Sequence, residues 1–298
     1  MNFPNIGKRL LFVVPAVPIA WWLINVDVSL TPRSVAVIYP GHLLAIFLVF
    51  LACYEYIGML RPLYVRNGFW ISYVWLAAQF VLYLTDNQLP YHLGLYLLVI
   101  LVAIEAFAWG RYNKRRRWAR ASLLFSGVAF LYMCAISLLN FFHDTGSFQQ
   151  LFHRFNHPLL SQLGICLIVF TVATCDTFAY FVGCAMGRHH FSTISPNKTI
   201  EGAVGGFCAA VLAASAGWWF LANPSLPKGL GILLGVLIGI FAQVGDLFIS
   251  LMKRYFSVKD SSQIIPGHGG VLDRFGSLFF AAPAVSIFTW AVNRFINM

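Results

Sequence analysis

Apolar runs long enough to cross a bilayer recur from one end of this 298-residue chain to the other. Only 10% of the residues are charged, against about a quarter in an ordinary soluble domain. Hydrophobic residues make up 59%, and the mean hydropathy is +0.75. So few charges cannot coat a 33.4 kDa globule. A soluble enzyme, a disordered chain and a secreted disulfide module are therefore excluded, and an all-α polytopic membrane protein is expected. Nine spans are predicted, near 10–26, 35–60, 69–85, 91–109, 121–141, 159–186, 202–222, 229–250 and 278–296. Pro40-Gly41 is expected to break the second run, so that its span starts at His42. The first run ends in no clean cleavage site, and Trp21-Trp22 reads as an interface anchor rather than the end of a signal peptide.

Basic residues set the orientation. With the N-terminus inside, 16 of the 20 lysines and arginines fall in the N-terminal segment and the loops at 61–68, 110–120, 187–201 and 251–277. Arg33, Arg154, Lys228 and Arg294 remain outside. This asymmetry places those loops on the cytoplasmic face. The cluster RYNKRRRWAR at 111–120 fits a topology determinant next to anionic lipid, and no nucleic-acid partner is expected. The six cysteines all lie in apolar runs and form no CxxC pair, which points to packing rather than zinc or redox chemistry.

The chain divides in character near residue 158. Segment 1–158 reads as transmembrane helices joined by basic loops, and 159–298 as the catalytic transmembrane domain. Five of the ten acids, Asp176, Glu201, Asp246, Asp260 and Asp273, lie in the second part. Asp176 sits inside an apolar run, with Tyr180, Gly183 and Gly187 on its face. A carboxylate there is costly unless paired or wetted, which favours a function over a structural hydrogen bond to a neighbouring helix. Glu55 and Glu105 are expected to reach the interface and to be structural.

In the loop 189–206, Ser195-Pro196-Asn197 is turn chemistry, and Thr199 is expected to cap a helix from about Ile200 with Glu201 in its first turn. Lys198 then stands beside free backbone N–H groups, a plausible anion corner. His189 and His190 read as loop polars. In 245–277, Asp246, Ser250 and Lys253 line one helical stripe, Arg254 and Lys259 add charge, and Pro266-Gly267-His268-Gly269-Gly270 forms a tight turn before Asp273-Arg274. Two separated carboxylates beside several bases suit Mg²⁺ and a polyphosphate, and hence phosphoryl or nucleotidyl transfer. A salt-bridged cytoplasmic loop is the plainer alternative.

The stretch 250–274 resembles the signature of the phosphatidate cytidylyltransferases, or CDP-diglyceride synthetases: Ser250, Lys253-Arg254, Lys259-Asp260, His268-Gly269-Gly270 and Asp273-Arg274. DTFAYFVG at 176–183 and SPNKTIEG at 195–202 are similar to upstream motifs of that family. The resemblance implies an integral membrane enzyme that condenses CTP with phosphatidic acid. It also implies Mg²⁺ as cofactor, a second monovalent cation such as K⁺ and a homodimer. With no long N-terminal extension before the first apolar run, a bacterial inner (plasma) membrane is expected. Asp246 and Asp273 would hold the metal and, with Lys253, Lys259 and Asp260, form the catalytic set. Ser195, Lys198, Arg254, His268, Arg274 and Asp176 would bind substrate. At Gly276 the chain departs from the pattern, which carries a second aspartate there, one turn from Asp273. A paralogue acting on another lipid phosphate, and a non-catalytic or transport protein that binds anionic lipid, are the alternative readings.

Overall fold

The computed structural model describes residues 40–60, 163–190, 198–222, 224–265 and 269–296, with single positions at 127, 131, 134, 137, 151 and 195. The described elements are helices: α1 (Pro40–Leu60), α2 (Leu163–Met186), α3 (Ile200–Leu221), α4 (Gly229–Tyr255) and α5 (Val271–Ile296). All five are long and apolar enough to cross a membrane, as expected of a multi-pass membrane protein. The predicted spans at 10–26, 69–85 and 91–109 lie outside the described residues. Of the span at 121–141, positions 127, 131, 134 and 137 are described; they are helical and share one face. On that face the Cys134 thiol donates to the Phe279 carbonyl at 2.8 Å, which ties this run to α5.

Three helix boundaries differ from the sequence-based expectation. The second span begins at Pro40 rather than His42, because proline is tolerated in a first turn, where its missing N–H costs nothing. The expected span 229–250 continues as helix to Tyr255, so Lys253 and Arg254 form its last turn. Cations there are favoured by the negative end of the helix dipole. The span expected from 278 starts at Val271 instead, so Asp273 and Arg274 stand in a first helical turn rather than in a loop.

Small residues bring α2, α3 and α4 together. Gly231, Gly235 and Gly239 recur every four residues along one face of α4. A Cβ on them would meet, in turn, Trp218 at 2.6 Å, the Val211 backbone at 2.6 Å and Phe207 at 2.9 Å, all on α3. Gly202 and Gly206 do the same for α3 against α2, facing the carbonyls of Ala179 at 2.5 Å and Cys175 at 2.6 Å. In lipid there is no hydrophobic drive between helices, so close backbone approach of this kind supplies the packing. Buried Trp218 closes the far half, edge-on to Phe288 at 6.0 Å between centroids.

Helices α2 to α5 alternate in direction, which gathers chemistry at one end, where α1 also ends. The end of α2 meets the start of α3 where Gly183 faces Thr199. The last turn of α4 meets the first turn of α5, and Glu55 near the end of α1 meets α5 as well. At the opposite end, Lys228 lies over the Trp219 ring at 5.0 Å and Arg294 over Trp290 at 5.6 Å. Tryptophan and snorkelling cations of this kind anchor a membrane boundary. The described residues of 187–201 and 251–277 thus share one face, as the basic-residue pattern required.

Candidate active site

Two polar layers occupy the motif end of the bundle. The first is built by the loop between α2 and α3. Thr199 is the N-cap of α3, in an extended conformation, and its hydroxyl accepts from the Gly202 N–H at 3.1 Å. Glu201 clasps the loop back onto that helix start. It accepts from the Arg188 N–H at 3.1 Å and lies 2.6 Å from His189 Nδ1. The Ile200 N–H donates to the His189 carbonyl at 2.9 Å, and the Lys198 N–H to Ser195 O at 3.1 Å. This brace aims the Lys198 side chain across to α4, where its ammonium pairs with Asp246 Oδ2. One turn earlier on α4, Gln243 donates to the Ala203 carbonyl at 2.8 Å and locks α4 to α3 beside the pair.

Asp246 remains accessible, with 43% of its side chain exposed; Lys198 is its one ion-pair partner among the described residues. Asp176 on α2 stands in the same layer. It accepts from Ser277 Oγ of α5 at 3.3 Å and feels the charges of Asp246 and Lys198. The stretch from Asp176 to Gly187 does let another element approach closely: Cβ positions on Gly183 and Gly187 both face Thr199.

The second layer surrounds Asp273. Lys253 is two helical turns beyond Asp246, about 10 Å along α4. It does not pair along its own helix but crosses to Asp273 Oδ1 at 2.6 Å. The other oxygen, Oδ2, accepts from the Ser261 N–H at 2.8 Å and the Gly270 N–H at 3.0 Å, and has Ser261 Oγ within reach at 2.9 Å as a third donor. The bond to Gly270 is half of a capping box, an acid in the first turn reaching back to the N-cap N–H. This explains why α5 starts seven residues before the expected 278. Only 9% of the Asp273 side chain is exposed.

The glycine pair of the turn has two separate physical reasons. Gly269 sits at φ +86°, a conformation L side chains rarely adopt, with its carbonyl accepting from the Ile265 N–H at 3.0 Å. Gly270 is where a Cβ would collide with Ser261 Oγ and the Glu55 carboxylate. Gly276 is buried, and a Cβ there would lie 2.9 Å from Ile249 Cγ1. The face shared with Asp273 is therefore a helix contact at that position.

Of the predicted site residues, Asp176, Lys198, Asp246, Lys253 and Asp273 come together at this end. Arg254, Lys259, Asp260 and Arg274 are exposed around its rim, and Ser195 belongs to the Lys198 loop. His268 lies outside the described residues. Among the described residues no three of His, Cys, Asp and Glu form a metal-binding group. The sequence reading missed Glu55. It does not reach the interface but is buried, 1% exposed, under the start of α5. Its signal was present, an acid inside a long apolar run, but its partners lie more than two hundred positions away.

The model of the Cytidylyltransferase family matches residues 16–292. A phosphatidate cytidylyltransferase of Synechocystis is 44% identical over 144 residues, 47% of this chain and 49% of that protein. One of Staphylococcus aureus (strain COL) is 46% identical over 115 residues, 38% of this chain and 43% of its own. One of Bacillus subtilis is 36% identical over 160 residues, 53% of this chain and 57% of that relative. The chain thus aligns with about half the length of these curated relatives.

Proposed function

This chain belongs to the cytidylyltransferase family, and on that premise we propose that it transfers CMP from CTP to phosphatidic acid. A phosphate oxygen of the lipid attacks the α-phosphorus of CTP. The new P–O bond gives CDP-diacylglycerol, and the bond to the β-phosphate breaks to release pyrophosphate. The reaction takes place on the cytoplasmic face of a bacterial plasma membrane, in a homodimer of nine-span subunits with a cytoplasmic N-terminus.

The observation that carries this reading is that Lys198–Asp246 and Lys253–Asp273 stand at one end of a bundle of helices long and apolar enough to cross a membrane, the end expected at a membrane boundary. A lipid phosphate and a nucleotide triphosphate meet only at such a boundary. The residues fit Mg²⁺, which takes one or two carboxylates and completes its shell with water and substrate phosphates. Asp246 offers an accessible carboxylate, and Asp273 adds Oδ1, the oxygen with a single donor. Bound Mg²⁺, with K⁺ as a second cation, would neutralise the triphosphate.

The remaining work falls to the chain's own side chains. Lys198 and Lys253 exchange a carboxylate partner for a substrate phosphate, which costs little because one charge-assisted contact replaces another. Arg254, Lys259, His268 and Arg274 draw the two anions together against their mutual repulsion, with Asp260 and Ser195 at the rim. Asp176, between α2 and α5, holds the floor through Ser277. Catalysis in such a site is positioning plus charge stabilisation.

The test is purified protein in detergent, with Mg²⁺, CTP and a panel of lipid phosphates. Pyrophosphate release that requires phosphatidate supports the proposal. Release with another lipid phosphate alone would reassign the substrate. Lipid binding without release on any of them would leave an anionic-lipid-binding protein instead.

A further inference from the structure

Glu55 is the buried acid that the proposed chemistry does not use. Its Oε1 accepts from Ser262 Oγ at 2.6 Å and the Val271 N–H at 2.7 Å. Its Oε2 accepts from the Leu272 N–H at 2.8 Å and Ser261 Oγ at 2.9 Å. Three of these donors are always available to Glu55 and the fourth, Ser261 Oγ, is shared, so the roughly four acceptor sites of an ionised carboxylate are nearly filled, which is what burial of a charge demands. Two of the donors are free N–H groups in the first turn of α5, at the positive end of its dipole.

The same cluster holds Asp273. Ser261 Oγ lies 2.9 Å from Glu55 Oε2 and 2.9 Å from Asp273 Oδ2. A hydroxyl has one proton, so Ser261 serves one of the two acids at a time and links their positions. Gly270, without a side chain, lets the Glu55 carboxylate enter between the loop and the helix start. Glu55 therefore grips both ends of the structure that sets Asp273: the Ser261–Ser262 segment and the first turn of α5.

We propose that Glu55 is a positioning residue for the cytidylyl-transfer site, fixing the direction of Asp273 and, through it, of the Lys253 ammonium. The proposal rests on the functional reading above, but it makes a structural claim of its own. Glu55→Gln keeps size and one acceptor oxygen. Its amide nitrogen, however, must face either the Leu272 or the Val271 N–H, donor against donor. The start of α5 then shifts and loosens the contact between Asp273 and Lys253. Ser261→Ala removes only the shared hydroxyl.

The experiment measures labelling of Lys253 by an amine-acetylating reagent, by mass spectrometry of the full-length protein in detergent, with exposed Lys259 as internal reference. Turnover and thermal midpoint are recorded on the same samples. In Glu55→Gln and in Ser261→Ala, Lys253 labelling should rise at least fivefold relative to Lys259, and turnover should fall at least tenfold. Unchanged Lys253 labelling in folded variants overturns the proposal, and so does raised labelling with unchanged turnover. If Glu55→Gln does not fold, Ser261→Ala decides by the same criteria. If the wild type transfers no CMP at all, the functional reading has failed, while the labelling still decides whether Glu55 sets the Lys253–Asp273 contact.

Discussion

Lys253 Nζ lies 2.6 Å from Asp273 Oδ1, joining the last turn of α4 to the first turn of α5 across the motif end of the bundle. The two partners are not equivalent. Asp273 holds three further donors, whereas Asp273 is the one acceptor described for the Lys253 ammonium. Asp273→Asn turns an amide toward that ammonium in a half-buried setting and should cost about 3 kcal/mol, in the range for breaking a buried pair. Lys253→Met leaves Asp273 with its three donors and the helix N-terminus, and should cost about 1 kcal/mol. Thermal or denaturant unfolding in detergent checks the order. A larger loss for Lys253→Met would show that the lysine, not the aspartate, organises this junction.

Asp246 is the accessible acid, and its replacement should separate chemistry from stability. Asp246→Asn is expected to leave the thermal midpoint within a few degrees of wild type. Turnover should fall by two or more orders of magnitude, because a hard ligand for Mg²⁺ is lost. Lys198→Gln should chiefly raise KM for CTP, about tenfold, the worth of one charge-assisted contact. Mg²⁺ titrations of activity distinguish the two. An Asp246→Asn enzyme with an unchanged Mg²⁺ midpoint would remove that residue from the cation site.

Gly276 stands where the resembled pattern carries an acid, yet it is buried with Ile249 Cγ1 at 2.9 Å from a hypothetical Cβ, and its carbonyl would lie 2.9 Å from a Cβ placed on Gly245. Gly276→Ala gains up to about 1 kcal/mol of helix propensity, and an Ile249 rotamer change absorbs the methyl, so it should be nearly neutral. Gly276→Asp forces a longer, charged group into the same contact and should destabilise by about 1–3 kcal/mol. Activity per folded molecule should not rise. A gain in both stability and phosphatidate turnover for Gly276→Asp would show that the helices part easily and that an acid belongs there.

Orientation is testable without activity. With the native cysteines replaced by alanine, single cysteines at Arg115 or at Lys259 should react with an impermeant thiol reagent only from the cytoplasmic side. A cysteine at Lys228, at the opposite end, should react only from outside. Labelling of the 259 position from outside would invert the assignment and remove the site from CTP.

The motif residues announced themselves in the sequence because charge is costly in apolar runs. Asp176, Asp246, Lys253 and Asp273 stand out there, and four of the five described helices fall on predicted runs within a few residues. What was hidden is pairing across helices. Asp246 and Lys253 share a stripe on α4, but each binds a partner on another segment, Lys198 and Asp273. The start of α5 was also hidden, because a run of Gly, Leu, Asp and Arg reads as loop until Glu55 and Asp273 satisfy its free N–H groups. Glu55 itself looked like an acid near the end of its run, since nothing local reveals two serines and a helix start brought over it by the fold.

The fate of the phosphorus atoms of CTP tests the central claim most directly. Full-length protein would be incubated with Mg²⁺, phosphatidic acid and CTP carrying radioactive phosphorus at either the α or the γ position. The account predicts that α label passes into the lipid fraction as CDP-diacylglycerol, that γ label appears only in pyrophosphate, and that Asp246→Asn abolishes both. Appearance of γ label in the lipid, or α label that never leaves the aqueous phase with wild-type protein, would contradict it.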